Sequence, residues 1–219
     1  MSIPVLFIDT CSILDIMRDP TREDARPHEL QAAIDVLNAA EAGHVECLMA
    51  EQVAIEFTEH DMHIQQEAIG KLEKFRSQVS RVNDLVTIYG APNIVDISHF
   101  DDHVTRARII VGRWLAQLKI VAPSDQAPAK AFARMNAMKA PARQGKDSSK
   151  DCLIYETVLE KVWALRRDGL TAPVVFLSSN TREYLSESKV LKPDISTEFS
   201  SPNLVYAANM SVAKYTLGL

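Results

Sequence analysis

The chain has 219 residues and 24.4 kDa, with 47% apolar and 24% charged residues and a net charge of −5. That balance suits one substantial α/β domain over residues 1–219, and it excludes a disordered, collagen-like or disulfide-scaffold chain. No apolar run approaches the ~18 residues of a membrane span. MSIPVLFIDT, which lacks a basic leading segment, does not read as a secretory signal. Cys11, Cys47 and Cys152 are odd in number and form no CxxC pair, so they read as reduced thiols in a cytoplasmic setting, with no zinc site built on cysteine.

In chain order, Val5–Ile8 is a short all-apolar run ending in Asp9-Thr10, the pattern of a strand buried on both faces. Pro27 to Ala42 carries apolar residues at helical spacing and stops at Gly43. Val45–Met49 reads as a second strand. A long helix runs from about Glu51 toward Val82, with Val53, Phe57, Ile64, Ala68 and Leu72 near one face. Gly90–Asn93 is a loop, and about Asp101 to Val121 reads as helix. Pro123, Pro128 and Pro141 break the stretch from about 123 to 147 into helix and loop. Ser148–Arg167 is a helix ended by Gly169. Val174–Leu177 is another apolar strand, followed by Ser178-Ser179-Asn180, and Leu204–Tyr206 is a last short strand. Strands alternating with helices predict a mainly parallel sheet with helices on both faces, and ligands beyond the carboxyl ends of its strands.

Charge is unevenly spread. From Val104 to Lys146 nine basic residues face one acid, Asp125, a net +8 that leaves −13 for the rest. Such a split reads either as a polyanion-facing surface or as solvated helix faces.

Dinucleotide and P-loop glycine signatures and the GxSxG elbow are absent. What remains is a set of acids. Asp9 ends the first strand, Glu56 lies on the long helix, and Asp147 and Asp151 stand four apart at a helix start. Asn180 ends a later strand. Converging at one sheet edge, these groups repel one another unless a divalent cation such as Mg²⁺ or Mn²⁺ sits among them, a centre suited to phosphodiester hydrolysis. Each also has a plainer reading: Asp9 or Asp147 as a helix cap, Ser148 as N-cap with Asp151 in a capping box, Glu56 as a solvated helix residue, Asn180 as a turn residue. The pairs His99/His103 and His60/His63 read as surface histidines without a third ligand. Cys11 and Cys152 read as small core residues under the site, with raised pKa values.

FIDTCSIL (7–14), AEQVAIEF (50–57), KDSSKDCLIYETVL (146–159) and VVFLSSNTREY (174–184) resemble, in order, the four blocks of PIN-domain nucleases of the larger bacterial type. The resemblance implies a three-layer α/β/α sandwich with a mainly parallel central sheet, a helical insertion around 60–145, and a metal-dependent ribonuclease. It matches Asp9, Glu56 and Asp151 to the first three catalytic, metal-holding acids. The fourth acid of many members falls where this chain has Asn180, so Asp147 or Glu183 could supply the missing charge. Cys11-Ser12 stands where many members carry an Asn. Thr10, Ser12, Ser179 and Glu183 would support the site, and Lys130, Arg134, Lys139, Arg143 and Lys146 would grip the RNA backbone. A toxin-type member would have an antitoxin protein as partner, and the insertion could be a lid, a homodimer surface or a nucleic-acid groove. Two rivals stand beside this reading. One is a catalytically weak PIN-like module that binds RNA or protein. The other is a haloacid dehalogenase-type phosphatase, against which Cys11 occupies the place of the needed second Asp.

Overall fold

The computed structural model describes residues 3–90 and 93–219. β1 (Val5–Ile8) is buried throughout, as its four apolar residues require. Asp9 caps the short α1 (Thr10–Leu14), and α2 (Pro27–Glu41) buries one stripe, including Ala33, Val36 and Leu37. Gly43, at φ 74°, lets the chain turn out of α2 into β2 (Glu46–Ala50). α3 (Glu51–Ile88) follows at once. Its 38 residues make a rod about 57 Å long, and its buried residues end at Leu72. Beyond that point Val82, Leu85, Ile88 and Tyr89 are exposed, so the distal half of α3 stands clear of the core. Of the expected 90–93 loop, residues 91 and 92 lie outside the described residues.

The helix expected over about 101–121 is shorter than its pattern. α4 (His103–Gln117) gives way to a strand, β3 (Leu118–Val121), which pairs in parallel with β2. The stretch around 60–145 therefore holds helices, connecting loops and one edge strand of the central sheet. α5 (Ala127–Asn136) and α6 (Ser149–Arg167) come next, α6 ending at Gly169 with φ 91°. β4 (Val174–Leu177) is wholly buried. Two short helices not expected from the sequence, α7 (Thr181–Tyr184) and α8 (Pro193–Ser200), precede β5 (Leu204–Ala207), and α9 (Met210–Leu217) closes the chain.

The sheet order is β3-β2-β1-β4-β5, every pairing parallel. From β1 the chain builds outward to β3, then crosses back to β4 and builds the other way. Right-handed crossovers put the helices of these two passages on opposite faces, giving an α/β/α sandwich. α9 returns to pack on α2. The order reverses between β1 and β4, the crevice where parallel sheets place their ligands. Asp9 and Ser178-Ser179-Asn180 lie there because each follows its strand directly. Among the described residues no helix is long and apolar enough to cross a membrane.

Candidate active site

Asp9 sits where β1 turns into α1, 6% exposed. Its Oδ1 accepts from Thr10 N at 2.8 Å, and its Oδ2 accepts from Ser178 Oγ at 2.6 Å and Cys11 Sγ at 3.3 Å. Burial pushes the carboxyl above its usual value against these three donors, and Asp15 adds to the rise. Glu56, in the second turn of α3, accepts through Oε2 from Thr10 Oγ1 at 3.1 Å. Its carboxyl is raised by burial and by the charges of Asp9 and Asp151. Asp151, in the first turn of α6, is raised by burial against the pull of Lys146, with Glu183 and Asp9 adding to the rise. Acids from three separate elements thus feel one another's charge.

The fourth is Glu183. It lies on α7, three residues beyond Asn180, and is 1% exposed. Oε1 accepts from Lys146 Nζ at 2.7 Å and Arg143 Nη1 at 3.3 Å. Oε2 is buried with no hydrogen-bond partner among the described residues. Lys146 Nζ also reaches Asp151 Oδ2 at 3.1 Å, so an ammonium bridges two acids from different helices.

Other expected members sit elsewhere. Asp147 is exposed, and its Oδ1 accepts from Ser149 N at 2.9 Å, closing the turn that leads into α6. The neighbouring charges it feels are Lys150 and Lys146. The N-cap of α6 is Ser148, which makes no side-chain cap bond, so Asp147 only closes the turn before it, and Glu183 rather than Asp147 stands beside Asp151. Asn180 precedes α7 without a side-chain cap bond, and its backbone N–H donates to Ser178 Oγ at 3.2 Å. Ser12 in α1 and Ser179 in the loop after β4 are joined by Ser179 N donating to Ser12 Oγ at 3.1 Å. Cys152 is fully buried, and burial raises its thiol to about 11. Cys11 is half-buried, donates to Asp9 and is raised to about 12 by burial and by Asp9. His60, His63 and His99 are exposed and His103 is half-buried.

Arg134 is a correction. It is 6% exposed, with Nε 2.6 Å from Glu156, Nη2 2.5 Å from Glu198, and Nη1 on the Ala140 carbonyl. Its guanidinium lies over the Tyr155 ring at 4.1 Å. Every face of it is spent internally, so it grips no phosphate. Lys130 pairs with Glu160 at 2.7 Å, nine residues or about 14 Å along α6 from Asp151. Lys139, Arg143 and Lys146 belong to the segment that leads from α5 into the site.

Ser178 was missed. It is fully buried, holds Asp9, and its carbonyl accepts from Tyr206 O–H at 2.7 Å. Its only sequence signal is its place directly after an apolar strand.

Among the described residues no three His, Cys, Asp or Glu side chains are already gathered around one point. The donors nonetheless fit a hard divalent cation. They are all oxygens, they repel one another, and Glu183 Oε2 is a buried acceptor with no donor among the described residues.

No curated protein and no solved structure matches the chain. The PIN-domain family model matches residues 6–184, which run from β1 through α7 and include all four acids. The chain therefore belongs to the PIN-domain family, whose members are generally nucleases and usually use divalent metals.

Proposed function

We propose that the protein is a Mg²⁺- or Mn²⁺-dependent endoribonuclease that hydrolyses RNA with water as nucleophile, leaving 5′-phosphate and 3′-hydroxyl ends. What supports this reading is that the charges of Asp9 and Asp151 raise the Glu56 carboxyl, that Lys146 bridges Asp151 to Glu183, and that Glu183 Oε2 is buried with no hydrogen-bond partner among the described residues. These four acids would hold the cation once Lys146 swings aside. The bound cation supplies charge at the phosphate and eases loss of a proton from water.

Ser178, Cys11 and Thr10 fix the Asp9 carboxylate in one orientation. Glu56, whose Oε2 is committed to Thr10, offers Oε1 to take a proton from the attacking water. Lys146, displaced from Asp151 and Glu183, and the Asn180 amide donate to phosphate oxygens, and Lys139 and Arg143 lie along the entry. Three free thiols suit a cytoplasmic setting. A toxin-type role, with an antitoxin protein covering the acidic edge, belongs to the same proposal.

A second reading, an RNA-binding module that does not cut, is favoured by the Lys146 bridge and by Asn180 in place of an acid. Incubating labelled single-stranded RNA with wild type and Asp151→Asn, in Mn²⁺ or EDTA, separates the two. The nuclease cuts only as wild type with Mn²⁺. The module cuts nothing, and its RNA affinity holds or rises in Asp9→Asn.

A further inference from the structure

A cavity of about 380 Å³ has Ser12 and Ser179 in its wall, though none of the four acids lines it. Both are one step from the Asp9 constellation: Ser12 lies in α1, which Asp9 caps, and Ser179 follows Ser178. The rest of the wall comes from the loop between α1 and α2, the first half of α2, the start of α4 with Phe100 before it, the end of β4, and the junction of β5 with α9.

Its lining is chemically mixed. Ile16, Leu30 and Leu177 supply apolar surface, and Phe100 and His103, with ring centroids 5.8 Å apart, supply an aromatic side. Arg22 brings a donor: its Nη2 is on the Asp15 carbonyl and its Nε stands 3.1 Å from Asp24, while its buried Nη1 has no hydrogen-bond partner among the described residues. Asp15, paired with Arg18 at 3.3 Å, and Asp19, whose Oδ1 already accepts from Thr21, bring acceptors through their remaining lone pairs. Volume, apolar lining and a few polar groups are those of a small-ligand pocket.

A planar ligand with a face to stack and both acceptors and donors on its edge matches this wall. Single-stranded RNA offers such groups as splayed bases, read by aromatic stacking and edge hydrogen bonds. Guanine suits it best, since O6 and N7 accept from arginine while N1–H and N2–H₂ donate to carboxylates. We propose that this cavity receives a guanine base adjacent to the scissile phosphate and thereby sets where the RNA is cut. The proposal rests on the ribonuclease reading.

The test uses two measurements on wild type, Ala25→Trp and Arg22→Met. Ala25 is a half-buried loop residue in the cavity wall, so a large ring there fills the space without entering the sheet core. The first measurement is binding of the four nucleoside 5′-monophosphates by equilibrium dialysis. The second is mapping of cut positions on a mixed-sequence RNA in Mn²⁺. The expected result is tighter binding of guanosine 5′-monophosphate, at least tenfold weakened by either substitution. Cuts should cluster at one fixed position relative to guanine, and that bias should vanish in Ala25→Trp while the Mn²⁺-induced rise in Tm persists. Equal binding of all four, preference for another base, or binding indifferent to both substitutions overturns the proposal. Selective binding with unbiased cutting also overturns it, leaving a free-nucleotide site. If no RNA is cut, selective binding abolished by Ala25→Trp still supports the guanine pocket, and the nuclease reading alone fails.

Discussion

Glu56 bears the cost of the cluster without much compensation. One hydroxyl donates to it, while burial and the charges of Asp9 and Asp151 hold its carboxyl above the ordinary value. A raised carboxyl binds its proton more tightly folded than unfolded, so at neutral pH the ionised group lowers stability. Glu56→Gln should raise the metal-free Tm by about 2–4 °C and shrink the rise that Mn²⁺ produces, both read by differential scanning fluorimetry. Ser178 acts in the opposite sense. Removing its hydroxyl strips the shortest hydrogen bond from a buried carboxylate, so Ser178→Ala should cost about 1–3 kcal/mol in urea unfolding. Asp9 was legible in the sequence because it stands directly after an apolar strand. Ser178 stands in an equivalent place, but serine there carries no charge to draw the eye. The choice between Asp147 and Glu183 was not legible. A spacing of four suggests a shared helix face only if both residues are helical, and α6 begins after Asp147.

At the scale of elements, the strands and the long helices followed from their apolar periods. β3 did not. Its four residues continue the α4 pattern without a break, and Lys119 and Ile120 are exposed, so no run of buried residues marks it as strand. Only pairing with β2, distant in the chain, decides it. The burial of Arg134 escapes the sequence for a similar reason: its partners Glu156 and Glu198 come from other helices. Those partners make it a clamp between α5, α6 and α8. Arg134→Met strands a nearly buried Glu156 and should cost about 3–5 kcal/mol. Lys130→Met breaks an exposed pair on the same helix and should cost at most about 1 kcal/mol, so parallel urea titrations check both.

Across the whole molecule, the +8 stretch is largely neutralised by ion pairs within the protein. Eight of its nine basic side chains pair with acids that lie outside it. Arg108 holds Asp61, Arg113 holds Glu41, Lys119 holds Glu46, and Arg143 and Lys146 hold Glu183. Lys139 has no ion pair among the described residues. The charge asymmetry is largely a means of joining elements, which composition alone does not distinguish from a binding surface. A quantitative consequence separates the two. Each phosphate contact on a single strand contributes about −0.7 to the slope of log affinity against log salt. If all nine cations met RNA, the slope would be about −6. With Lys139, Arg143 and a released Lys146 as the cations at the entry, it should be about −2. Fluorescence anisotropy of labelled single-stranded RNA across a salt series, using Asp151→Asn to prevent cutting, measures it. Lys139→Ala should flatten the slope by about 0.7, whereas Lys119→Ala, whose ammonium is already held by Glu46 at the β3 edge, should leave it unchanged.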